Sequence, residues 1–143
     1  LNASNTFTFA QTLAVASGGF LVSQGNSLQL AAGSSSVLLP LDAAVTALTP
    51  TASQSYFWEA TVLAKQTASS ASGMFQMKGA FNTFGTGSTV TQVGSDITIP
   101  QSVTGDSGLF GVSASYANGQ FRLLASGPVT SLWQVKYLKI GGL

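Results

Sequence analysis

Apolar and polar residues alternate with a period of two along most of this chain, and short turn clusters interrupt the alternation. The clearest stretch is Leu109 to Leu138. Phe110, Val112, Ala114 and Tyr116 alternate with Gly111, Ser113 and Ser115. Asn118-Gly119 follows, and then Phe121, Leu123 and Ala125 alternate with Arg122, Leu124 and Ser126. This predicts a β-hairpin closed by a type I′ turn, because both central positions need φ > 0 and Asn and Gly tolerate it. Gly127-Pro128 breaks the run. A third strand, Leu132 to Ile140, places Trp133, Val135 and Tyr137 on one face and Gln134, Lys136 and Leu138 on the other. The expectation is a three-stranded antiparallel meander.

The same period recurs upstream. Tyr56, Trp58, Ala60, Val62 and Ala64 share one parity, and Phe57, Glu59, Thr61, Leu63 and Lys65 share the other. Met74 to Phe84 reads as a strand with a bulge at Gly79. Gly85-Thr86-Gly87 is a connection, and Ile97 and Ile99 lead to Pro100. Residues 1–50 are sparser. Apolar pairs (Phe7 and Phe9, Leu13 and Val15, Phe20 and Val22, Leu28 and Leu30, Val37 and Leu39) are separated by Gly, Ser and Asn. They read as short strands of the main body or as an extended arm ordered by neighbours. Leu41 to Leu48, between Pro40 and Thr49-Pro50, predicts one or two helical turns. The fold expected is all-β, an antiparallel, jelly-roll-like sandwich over 51–143 with an attachment or oligomerisation arm over 1–50.

Charge changes this picture. Only 6% of the 143 residues are charged and the net charge is +1, against about 25% charged in ordinary globular proteins. The surface is therefore Ser, Thr, Asn, Gln and Gly. The five basic residues, Lys65, Lys78, Arg122, Lys136 and Lys139, are scattered along the chain. No basic cluster calls for nucleic acid or an anionic membrane. Sheet edges without charges invite pairing with other chains, so copies of the chain or a larger assembly are expected to cover them. No apolar run is long enough for a membrane-spanning helix. No signal-peptide pattern opens the sequence, which starts at Leu1.

Catalytic chemistry is sparse. There is no His and no Cys, which removes Ser-His-Asp and Cys-His nucleophilic catalysis, thiolate and imidazole metal sites, and disulfides. The carboxylates Asp42, Glu59, Asp96 and Asp106 show no paired or calcium-loop spacing. No enzyme activity, metal or cofactor is expected. Trp58, Phe75, Phe110, Trp133 and Tyr137 are expected in the core or at a subunit interface. Tyr116 and Asn118, beside the hairpin turn, are the candidate surface-recognition residues.

The order of Trp58, the run Phe75-Gln76-Met77-Lys78-Gly79-Ala80-Phe81, Val93-Gly94, Val112-Ser113-Ala114 with Asn118, then Gly127 and Trp133 resembles a β-sandwich domain of bacteriophage tail-fibre and receptor-binding proteins. The resemblance covers about residues 55–140. The chain departs from that pattern in lacking a Trp near Phe110 and an Asp near Tyr116. The resemblance implies a homotrimeric virion component assembled in the host cytoplasm, a tail-fibre or host-attachment protein. Its residues 1–50 would contact other virion proteins, and a host surface glycan would be a further partner. A capsid decoration protein and a cellular carbohydrate-binding module are the alternatives.

Overall fold

The computed structural model describes residues 11–13, 19–50, 53–84, 89–104 and 109–142, with side chains for all of these except 11–13 and 101–104. Phe7, Phe9, Val15, the Gly85-Thr86-Gly87 connection and Asp106 lie outside the described residues. The strands are β1 (Gln11–Leu13), β2 (Phe20–Ser23), β3 (Leu28–Leu30), β4 (Ser34–Leu38), β5 (Leu48–Pro50) and β6 (Ser55–Gln66). They continue as β7 (Ser72–Phe84), β8 (Thr89–Gln92), β9 (Ile97–Thr104), β10 (Gly111–Ser115), β11 (Arg122–Gly127) and β12 (Ser131–Gly142). Two antiparallel sheets pack face to face. The large sheet runs β2-β12-β6-β7-β8, with β3 beside β12 and β9 beside β7; the small sheet runs β10-β11-β4. β1 and β5 form a separate parallel pair.

The parity read from β6 holds. Tyr56, Trp58, Ala60, Val62 and Ala64 are all buried. They meet Phe75, Met77 and Phe81 of β7, Trp133, Val135, Leu138 and Ile140 of β12, and Leu123 and Ala125 of β11 in one core. Aromatic rings join the layers: Trp58 and Phe121 have centroids 4.9 Å apart, and Phe81 and Phe121 5.6 Å. Such pairs add about 0.5–1.5 kcal/mol beyond the area they bury.

Three local expectations are corrected. The C-terminal third is not a meander: β10 and β11 pair as a hairpin, but β12 lies in the other sheet beside β6. Leu123 and Ala125 need a facing apolar layer, and Trp133 and Val135 supply it only from across the sandwich. Second, Gly79 carries no bulge, since β6 and β7 pair without interruption from Ser55↔Asn82 to Lys65↔Ser72. Third, residues 41–48 form no helix. Val45 N–H donates to Asp42 O at 2.8 Å in a tight turn, and Leu48 pairs with the Phe121 backbone through both its N–H and its C=O. Those long-range bonds leave Leu41 and Leu48 fully buried. Of the two readings left open for the N-terminal stretch, the described residues 19–50 follow the short-strand one: β2 and β3 pair with β12, and β4 pairs with β11.

The hairpin turn forms as the sequence indicated. Asn118 has φ 58° and ψ 34°, Gly119 has φ 68°, and Gln120 N–H donates to Ala117 O at 3.2 Å. Both central residues have positive φ, as a type I′ turn requires.

Candidate functional site

The outer face of the large sheet carries exposed apolar side chains beside charged ones. Residues that pair across adjacent strands form rows on this face. One row runs Phe20, Gly141, Phe57 and Ala80. The next runs Val22, Lys139, Glu59, Lys78 and Ile97, and a third runs Tyr137, Thr61, Gln76 and Ile99. Farther along lies Gln134, Leu63 and Met74. Phe20 is 66% exposed and Phe57, whose ring lies over Gly141, is 45% exposed. Lys139 Nζ lies 5.1 Å from the Phe20 ring centroid, within cation–π range.

Four of the five basic residues gather on this face although they are scattered in sequence; Arg122 lies on β11 of the small sheet. Lys78 and Lys139 belong to the rows above, Lys65 to a further one between Leu132 and Ser72, and Lys136 is exposed at a bulge in β12. Glu59 is the acid among them.

That bulge decides where Tyr137 goes. The β12–β6 register shifts between Val135, opposite Val62, and Tyr137, opposite Thr61. Lys136 is the extra residue, so parity inverts after it. Leu138 and Ile140 enter the core, and Tyr137 turns outward at 36% exposure. Of the two places expected for Tyr137, core or subunit interface, the core is excluded. Its hydroxyl donates a long hydrogen bond to Glu59 Oε1 at 3.4 Å. Desolvation, then the charge and hydrogen bond of Glu59, raise its ionisation above the ordinary tyrosine value.

Between the second and third rows lies a groove of about 340 Å³. Its walls are Glu59, Thr61, Gln76, Lys78, Ile99 and Tyr137. Period-two parity placed Glu59 and Thr61 on one side of β6. Periodicity along single strands carries no signal that Gln76, Lys78, Ile99 and Tyr137 would meet them, because that depends on register and on the bulge.

The other candidates fall elsewhere. Trp58, Phe75, Phe110 and Trp133 are buried. The Trp133 ring stacks with Phe75 at 6.2 Å and meets Phe110 edge-on at 5.9 Å, and its Nε1–H donates to Ser131 Oγ at 2.8 Å. Asn118 is exposed in its turn. Tyr116 is not a tip residue. It is half-buried, with ring centroids 5.5 Å from Phe81 and 6.0 Å from Phe121. Its hydroxyl accepts from Trp58 Nε1–H at 2.9 Å and donates to Asp96 Oδ1 at 2.6 Å. Gly79 makes room for this relay, since a Cβ there would lie 2.0 Å from Asp96 Oδ1 and 2.9 Å from Trp58 Nε1. Burial and the hydrogen bond to Asp96 push the Tyr116 hydroxyl well above the usual tyrosine range. Two side-chain hydrogen bonds and two ring contacts make Tyr116 a structural link.

Among the described residues no three His, Cys, Asp or Glu side chains gather as a metal site, and no helix is long and apolar enough to cross a membrane. Comparison with family models, with curated proteins and with solved structures found no match.

Proposed function

We propose that this chain is a non-enzymatic structural protein of a virion, a homo-oligomeric tail-fibre or host-attachment component. The observation that carries the reading is the Phe20–Val22–Phe57 corner of the large sheet. Three large apolar side chains stand open there, on a chain with few charges to oppose association. Contiguous exposed apolar surface of this kind marks contact sites. The order of strand residues that resembles phage attachment domains supplies the biological setting and the trimer. The absence of His and Cys from the sequence supports a mechanical or adhesive role over nucleophilic catalysis.

Sedimentation velocity of the purified chain at micromolar concentration tests this. The expected species has three times the 14.5 kDa chain mass. Phe20→Ser combined with Phe57→Ser should release single copies that keep the wild-type strand content by circular dichroism, with a lower thermal midpoint because association no longer stabilises the fold. A wild-type chain that stays a single copy at that concentration overturns the reading.

A further inference from the structure

We propose that the groove walled by Glu59, Thr61, Gln76, Lys78, Ile99 and Tyr137 binds a saccharide. The proposal rests on the attachment reading above and names its ligand class.

The chemistry of the walls selects the ligand. A pyranose presents apolar C–H faces and a rim of hydroxyls, each both donor and acceptor. The groove supplies a partly exposed aromatic ring, Tyr137, and an aliphatic wall, Ile99. It also supplies an acceptor carboxylate, a donor ammonium, and two side chains that do both, Gln76 and Thr61. Few, converging polar groups against an apolar wall are the usual composition of a small-molecule site.

Charge and topology disfavour the other ligand classes. Glu59 stands in register between Lys139 and Lys78, so a carboxylate occupies the middle of the row although its net charge is positive. A nucleic-acid backbone would meet a carboxylate at the centre of the site. An extended peptide binds by adding to a sheet edge, whereas β6 here has a partner on both sides. The volume of about 340 Å³ is near the low end of ligand sites, about 300–1,000 Å³. That suits one or two sugar units. The Lys136 bulge is the device that aims Tyr137 at this ligand, a use bulges commonly serve.

The test is a printed array of bacterial-surface oligosaccharides probed with the wild-type chain, with Tyr137→Ala, Gln76→Ala and Tyr137→Phe alongside. The expected result is retention of at least one saccharide by wild type and by Tyr137→Phe, and at least a tenfold loss in Tyr137→Ala and Gln76→Ala. Two exposed positions are used so that a folding defect in one leaves the other decisive. No retention by wild type, or full retention in a folded Tyr137→Ala or Gln76→Ala, overturns the proposal. Mass is measured on the same sample. A single copy that binds sugar removes the assembly reading and keeps the groove; an oligomer that binds none does the reverse.

Discussion

Tyr116 shows how one side chain can tie parts of the chain far apart in sequence. Its hydroxyl sits between the indole of Trp58 on β6 and the carboxylate of Asp96, which precedes β9. Tyr116→Phe keeps the ring contacts with Phe81 and Phe121 but leaves the buried Trp58 N–H without its acceptor. An unsatisfied buried donor costs about 1–3 kcal/mol, so urea denaturation should show a loss of that size. The same residue predicts a pH effect. The folded state raises the ionisation of Tyr116 above its ordinary value of 10.0. Above that pH the unfolded chain releases a proton that the folded chain retains. Stability is therefore fully present below pH 10 and declines as pH rises past it, with a slope of at most about 1.4 kcal/mol per pH unit from this group. Solvent screening at the open half of the ring lowers that limit. The wild type minus Tyr116→Phe difference in denaturation midpoint should shrink between about pH 9 and 11. A difference constant across that window would remove the proton-holding role of Tyr116.

At the scale of the element, β12 marks the boundary of what the sequence discloses. Its first half follows strict alternation, and Trp133 and Val135 are buried as that pattern requires. After Lys136 the same rule sends Leu138 outward and Tyr137 inward, the reverse of what occurs. The residues alone hint at the answer: Leu138 and Ile140 are better core residues than Tyr137 and Lys139. A bulge satisfies both halves, but it is fixed by pairing with β6, which one-strand periodicity does not carry. The β6 parity and the Asn118-Gly119 turn were legible because their causes are local. The placement of β12 in the opposite sheet was not, because it depends on which apolar faces meet across the sandwich. For the same reason the groove was only half visible, through Glu59 and Thr61. Deleting Lys136 tests the bulge. The strand would then have to turn either Trp133 and Val135 or Leu138 and Ile140 to solvent. Each such side chain forfeits about 1.5–3 kcal/mol of burial, so the deletion should abolish cooperative unfolding. Lys136→Thr, at an exposed position, should change stability by no more than about 0.5 kcal/mol. A folded deletion variant with a wild-type midpoint would mean that β12 can be paired without the extra residue.

For the whole molecule, the distribution of the few charges constrains how copies can meet. The outer face of the large sheet gathers Lys65, Lys78, Lys136 and Lys139 around a single carboxylate, Glu59. Stacking two such faces about a two-fold axis would set ammonium groups against ammonium groups. That arrangement is opposed at low salt and relieved when the screening length falls from roughly 10 Å at 0.1 M to roughly 3 Å at 1 M. A cyclic trimer has no such requirement. In the proposed trimer the contacts would be heterologous, with the Phe20–Val22–Phe57 corner of one copy meeting a different surface of the next. The small sheet offers a surface with one cation, since its outward positions Gly111, Ser113, Leu124 and Ser126 carry no charge and Arg122 stands at the turn end of the same face. The trimer should therefore form with similar affinity in about 0.05 M and about 0.5 M salt, with association carried by apolar burial rather than by ion pairs. Sedimentation equilibrium at the two salt concentrations measures this. A species of twice the chain mass that tightens as salt rises would identify face-to-face stacking, place the groove inside the contact, and rule out the cyclic arrangement.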